Sequence, residues 1–218
     1  DEVELSRISE DLMPRIEQRK EDGFLYGDCQ YSINLGNDLD SYPGVFSCYR
    51  PVAADTPIPE NQKKLSGEDW AELYAMTRKD KKAAFDRYAE YYKTTSGQVY
   101  WADVQQTAGS FDAYRKAVDV SRGTEMISEI FVPADNFNAF MTKAREDALS
   151  HKVDLTYGTI RFIEEDDETF LAWAREPWVC IVCNFHVMHT PVGKEKAADD
   201  FRRLFDRAIE VGGSYFLP

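Results

Sequence analysis

Trp178-Val179-Cys180-Ile181-Val182-Cys183-Asn184-Phe185-His186-Val187-Met188 is the stretch on which the fold turns. Two readings compete for it. Cys180 and Cys183 have the CxxC spacing of metal and redox sites. The run is also rich in β-branched and aromatic residues and too short for a typical buried helix, which predicts a strand. On a strand, residues three apart point to opposite faces, so the two thiols cannot share a metal or bridge each other. The alternation gives one face made only of Val179, Ile181, Cys183, Phe185 and Val187. The opposite face carries Trp178, Cys180, Val182, Asn184, His186 and Met188. An apolar face belongs on helices; a face mixing aromatic, amide and imidazole groups suits a ligand.

Working outward, 124–132 reads as a strand closed by Pro133. Asp135 is placed to cap a helix whose stripe is Phe137, Phe140, Met141, Ala144 and Ala148. The segment 153–163 reads as a strand. The acidic run Glu164 to Glu168 is expected to open a short helix carrying Phe170, Leu171 and Trp173, since acids suit a helix N-terminus. After the strand 177–188, Ala197, Phe201, Leu204, Phe205 and Ala208 make the stripe of another helix. Gly212-Gly213 stops it, and 214–217 begins a last strand. The order β-α-β-β-α-β is the split βαβ, or ferredoxin-like, arrangement.

The first half repeats this order one element short. A helix is expected over 4–20, with Leu5, Ile8, Leu12 and Ile16 inward, then strands over 24–33 and 45–52. Ser66-Gly67-Glu68-Asp69 is a capping box for a helical stretch to Tyr92, broken near 78–80, and 98–105 follows as a strand. The expected fold class is therefore α+β: two ferredoxin-like subdomains, 1–107 and 123–218, forming an antiparallel sheet with helices on one face, joined by a connector at 108–122. A half that starts one strand late, and a C-terminus ending on Tyr215-Phe216-Leu217-Pro218, read as the ends of a piece cut from a longer chain.

The 218 residues carry a net charge of −13, which disfavours nucleic acid and anionic membrane surfaces. No apolar stretch has the length of a membrane span, and the acidic opening Asp1-Glu2-Val3-Glu4 is unlike a signal peptide, so a cytoplasmic protein is expected. Cys29 and Cys48 lie on neighbouring expected strands, where a cross-strand disulfide is open but not required. His186 and His189, three apart on extended chain, do not make a metal pair, and no metal is expected. Tyr88, Tyr91 and Tyr92 on the helix read as packing.

Several segments, in this order and spacing, resemble one family. They are Asp22-Gly23-Phe24-Leu25-Tyr26-Gly27-Asp28, Gly44-Val45-Phe46-Ser47-Cys48-Tyr49-Arg50-Pro51-Val52, Ser96-Gly97-Gln98-Val99-Tyr100-Trp101, 125–133 (Glu-Met-Ile-Ser-Glu-Ile-Phe-Val-Pro), 157–168 (Tyr-Gly-Thr-Ile-Arg-Phe-Ile-Glu-Glu-Asp-Asp-Glu) and 212–217 (Gly-Gly-Ser-Tyr-Phe-Leu). Together they resemble the C-terminal substrate, or cap, domain of FAD-linked oxidases of the vanillyl-alcohol oxidase type, over essentially the whole chain. The resemblance implies an FAD-dependent oxidoreductase. Its flavin is gripped by a separate FAD-binding domain, while this sheet roofs the reactive face of the ring and positions a small-molecule substrate for hydride transfer. No GxGxxG or other phosphate-cradling glycine loop is present in the sequence, so the FAD-binding domain is a partner rather than a part of these residues.

The substrate-facing candidates follow from strand alternation: Tyr157, Thr159 and Arg161 on one strand, Asn184 and His186 on the next, and Gln30, which shares a face with Tyr26, Asp28 and Ser32. Relatives that oxidise polyols carry an acid, a spacer and an arginine at the position of Thr159-Ile160-Arg161. Here the arginine is kept and the acid is threonine. Arg161 suits an anionic substrate, a hydroxyl or charge on a reduced flavin; equally, it suits a structural pair with Glu125 or Glu129. His186 suits a general base or a hydrogen-bonded strand histidine. Two rivals stand beside the oxidoreductase: a non-enzymatic small-molecule-binding module, and an interaction domain whose sheet face packs on a partner, including a second copy in a homo-oligomer.

Overall fold

A computed structural model describes residues 2–8, 11–32, 43–100 and 122–216. The strands are β1 (Glu2–Arg7), β2 (Tyr26–Tyr31), β3 (Pro43–Tyr49), β4 (Gly123–Pro133), β5 (Leu155–Ile163), β6 (Trp178–Met188) and β7 (Ser214–Phe216). They form one sheet in the order β1-β3-β2-β5-β6-β4-β7, antiparallel at every junction. The helices are α1 (Leu12–Glu21), α2 (Gly67–Thr77), α3 (Lys81–Lys93), α4 (Phe137–Ser150) and α5 (Pro191–Glu210). The fold class is thus α+β, as read from the sequence. None of the described helices is long and apolar enough to cross a membrane.

The pleat sorts the side chains as the alternation of β6 predicts. Val179, Ile181, Cys183, Phe185 and Val187 enter one core with Ile130, Val132, Ile160, Phe46 and Cys29. Leu12 and Ile16 of α1, Phe137, Phe140 and Met141 of α4, and Ala208 of α5 close that core. Burial of these side chains is the main stabilising term, about 1.5–3 kcal/mol for each large one. Cys180 lies on the opposite face, packed with Phe131 and Val182. The CxxC spacing therefore makes no site, and all four cysteines are buried and unbridged.

Several local signals act as expected. Ser66 and Asp69 form a capping box at α2, and Asp80 caps α3 by accepting the Ala83 amide at 2.9 Å, which sets the break between the two helices. Thr190, not singled out in the sequence, caps α5 with Pro191 in its first turn, whereas Asp135 does not cap α4: it lies in a 3-10 turn, and Asn136 holds the cap position without a side-chain hydrogen bond. Gly212, at φ +75°, turns the chain out of α5 in the left-handed region that favours glycine.

Several expectations are corrected. Residues 2–7 are a strand rather than the start of a helix. Val3 and Leu5 alternate with Glu2, Glu4 and Ser6, and the whole segment pairs with β3, from Glu2↔Cys48 to Arg7↔Pro43. The helical spacing of Leu5, Ile8, Leu12 and Ile16 concealed this alternation, and the leading strand of the first half is present. Next, residues 164–177 hold no helix. Asp166 accepts the amides of Glu168 and Thr169, a local turn that competes with helix formation, and five adjacent acids repel one another. Finally, the helices do not all lie on one face. Val45 of β3 packs with Ala89 and Tyr92 of α3 and with Trp70 of α2, so the α2–α3 hairpin covers part of the face opposite the main core. Gln98 to Tyr100 are not in a strand; the rest of the expected strand 98–105 and the connector to 121 lie outside the described residues.

Among the described residues, the strands of the two halves pair with each other at β2 and β5, through Cys29↔Ile160 and Gln30↔Thr159. Tyr31 reinforces the seam. Its hydroxyl donates to the Val182 carbonyl at 3.1 Å and lies 3.3 Å from Cys183 Sγ. Its ring crosses Gly158 so closely that a Cβ there would fall 2.0 Å from Cζ. Gly158→Ala is therefore expected to lower stability by about 1–3 kcal/mol through overpacking, measurable by urea unfolding. In a Tyr31→Ala background the same change should cost less than half as much, since the overlapping ring is gone. An equal cost in both backgrounds would contradict this account of the seam.

Candidate functional site

The candidate site lies on the sheet face that bears Asn184. Cross-strand pairing brings Tyr157 opposite Asn184, Thr159 opposite Val182 and Arg161 opposite Cys180, while Gln30 pairs with Thr159 across the seam. Five of the six sequence-predicted residues thus form one contiguous row: Gln30, Tyr157, Thr159, Arg161 and Asn184. Two members are incompletely satisfied. Thr159 and Asn184 are 5% and 4% exposed, and Thr159 Oγ1 and Asn184 Oδ1 have no hydrogen-bond partner among the described residues. A buried orphan of this kind costs about 1–3 kcal/mol, which folding alone gives no reason to keep.

Arg161 is exposed and makes no ion pair with another described residue; Glu125, one suggested structural partner, is engaged by Thr156 and His186 instead. Arg161 acts electrostatically on the carboxyl of Asp28 on β2. Burial pushes the Asp28 carboxyl from its ordinary 3.8 up to about 6, with Arg161 pulling the other way. Around it stand Tyr49, Tyr88, Tyr92 and Tyr157, whose phenols burial, chiefly, holds above their ordinary range. Tyr88 and Tyr92 pack with ring centroids 4.3 Å apart, tilted by 33°, and belong to the α3 packing cluster, as the sequence suggested. Asp28 and Tyr49 are the site residues that sequence reasoning passed over. The available signal was that Asp28 shares a strand face with Gln30.

His186 does not join the row. It sits at the far end of β6 in a separate cavity of 150 Å³ lined by Tyr74, Thr77, Arg78, Glu125, Asp154, Leu155 and Thr156. Six residues separate His186 from Cys180, the partner of Arg161, a span of roughly 20 Å at strand rise. One small molecule cannot touch both. His186 Nδ1 lies 2.6 Å from Glu125 Oε1, and both side chains are buried.

The polar face is not open along its length. Tyr74 of α2 lies near Tyr157, and Arg78 reaches His186 at 3.0 Å, so the chain's own hairpin roofs the end of the row at Asn184. The face is therefore exposed at Arg161 and covered at Asn184, because α2 and α3 find their apolar partners on this side. His151 is exposed at the C-terminus of α4. Among the described residues, no group of three or more His, Cys, Asp and Glu side chains could hold a metal ion.

No protein-family model matches the chain, and no curated protein is significantly similar to it.

Asp28 supplies a test of whether the row is built for stability. Its folded-state pKa is raised, so the penalty for ionising it is absent below about pH 4 and fully present above about pH 6. Asp28→Asn should therefore stabilise the protein at about pH 8, by on the order of 1–3 kcal/mol given partial solvent contact. The gain should vanish as the pH falls to about 4. Paired thermal melts at the two pH values check this; a destabilised variant at pH 8 would make Asp28 structural.

Proposed function

We propose that this chain is the substrate-binding domain of an FAD-dependent oxidoreductase, built as two ferredoxin-like units joined edge to edge. The carrying observation is the row on the sheet face: an exposed arginine without a described ion-pair partner, beside two buried polar atoms that lack partners. Such a row is suited to a ligand that completes its hydrogen bonds. The strand orders β1-β3-β2 and β5-β6-β4-β7 support the ferredoxin-like reading of the two halves. The resemblance of the segments around Gly27, Gly44 and Arg161 to FAD-linked oxidases supplies the reaction class, oxidation of a C–H bond beside a hydroxyl or amine.

The residues present fit a flavin lying against this face. Phe131, Cys180 and Val182 form an apolar layer already covered in part by Trp173, which packs on Phe131, and Arg161 and Trp178 stand beside it, the Trp178 Nε1 having no partner among the described residues. Arg161 and Trp178 would donate toward a ring lying over this layer. The FAD would be gripped by a partner domain and would supply the two-electron acceptor. The chain's own residues bind and orient. Asn184 Oδ1 accepts a substrate donor, Thr159 and Gln30 fix the substrate along the strand, and Arg161 stabilises negative charge as it develops. Burial burdens the charged form of Asp28 and raises its carboxyl to about 6, so it is mostly ionised near pH 7 and able to accept a proton there.

The test is kinetic and uses the polypeptide joined to its flavin-binding domain. Arg161→Ala should lower kcat/KM by about 10- to 100-fold, the loss of a charged hydrogen bond of about 1.5–3 kcal/mol. Its Tm should stay within the range of an ordinary surface substitution. Arg161→Lys, which keeps the charge and loses the planar fork, should fall close to alanine. A lowered Tm with unchanged kinetics would make Arg161 structural. Absence of any flavin reduction by alcohols or amines in the joined protein would leave the non-enzymatic binding module as the better reading.

A further inference from the structure

Four groups meet in the cavity at the end of β6, and their hydrogen bonds fix the state of the histidine. Glu125 Oε2 accepts from Thr156 Oγ1 at 2.6 Å, and Glu125 Oε1 lies 2.6 Å from His186 Nδ1. An ionised carboxylate only accepts, so Nδ1 carries the proton. On the other side of the ring, Arg78 Nη2 lies 3.0 Å from Nε2. A guanidinium only donates, so Nε2 presents its lone pair. The contact therefore exists only while the ring is neutral and in the Nδ1–H tautomer.

We propose that the α2–α3 hairpin is a lid over the polar face, latched by Arg78 on neutral His186 and released when that ring takes up a proton. Protonation turns Nε2 from acceptor into donor and sets two cations face to face. The ring cannot retreat: Glu125 holds Nδ1, the His186 amide is tied to the Asp154 carbonyl at 2.9 Å, and Gly123 lies so close behind that a Cβ there would be 2.6 Å from Cε1. Arg78 is exposed, at the C-terminal end of α2, and is the partner free to leave.

The other charges around the ring set the balance. Glu125 from β4 and Asp154 at the start of β5 favour the cation. Arg78 opposes it, and Lys81 of α3 offsets Asp154 by pairing with it at 2.9 Å. Tyr74, the remaining titratable group lining the cavity, comes from α2 itself. The latch requires neutral histidine, so it holds at alkaline pH and is lost on acidification, once the ring takes up a proton. Release uncovers Asn184 and Tyr157, so the latch would control access to the row. The inference rests on the proposed function only for what the lid covers.

Hydrogen–deuterium exchange of the unliganded chain reads the lid directly and involves neither flavin nor substrate, so it fails or succeeds apart from the kinetic test. With intrinsic rates corrected, protection of the α2 amides should drop about tenfold or more between about pH 8 and pH 5.5, while α5 keeps its protection. His186→Gln, which stays neutral, should remove that pH dependence. Arg78→Gln, at an exposed position safe for folding, should show the unlatched exchange at both pH values. Wild-type α2 exchange that ignores pH, pH dependence that survives in His186→Gln, or wild-type protection in Arg78→Gln at pH 8 would each overturn the proposal.

Discussion

Everything on the polar face depends on the short seam between β2 and β5. Two register pairs, Cys29↔Ile160 and Gln30↔Thr159, turn two separate three- and four-stranded units into one sheet. So brief a ladder needs support from side chains, and Tyr31 supplies it by reaching from β2 across Gly158 to the backbone of β6. The thiol beneath it is locked in place without being reactive, since burial pushes Cys183 up to about 11. Without the seam, Gln30 and Asp28 would belong to one surface and Thr159 and Arg161 to another.

Once the sheet is continuous, its pleat divides the labour. One face is apolar and takes α1, α4 and α5, which supplies the hydrophobic stabilisation. That burial allows the other face to carry features that folding alone disfavours: a carboxyl raised by desolvation, buried oxygens without partners, and an arginine with no described ion pair. Such departures concentrate where a protein meets a ligand, because function and stability make opposing demands on the same atoms.

The α2–α3 hairpin adds a second level. It is held inward by aromatic packing around Tyr88 and Tyr92 and by polar ties at its turn, Arg78 to His186 and Lys81 to Asp154. Packing of this sort is insensitive to pH, whereas a guanidinium bonded to a neutral imidazole is not. The hairpin therefore combines a permanent hinge side, against Val45, with a conditional edge near Asn184.

The amino-acid sequence by itself determined the strands of the second half, the face that Val179 to Val187 bury, the harmlessness of the CxxC spacing, the cap of α2 and the glycine stop of α5. All of these rest on interactions within a few residues, or on the period-two geometry of a strand, and are written in the local pattern. It also placed Arg161, Thr159, Asn184, Tyr157 and Gln30 on one side of the sheet, since alternation fixes a side without knowing the neighbours. It could not decide the rest. Residues 2–7 satisfy both a helical and a strand spacing, and only β3 as a pairing partner makes them a strand. The side taken by α2 and α3, the separation of His186 from Arg161, and the meeting of Glu125, Thr156 and Arg78 around one imidazole all depend on contacts between residues distant in sequence. No local pattern encodes those contacts, because the free energy that selects them comes from burying surfaces that do not exist until the sheet has formed.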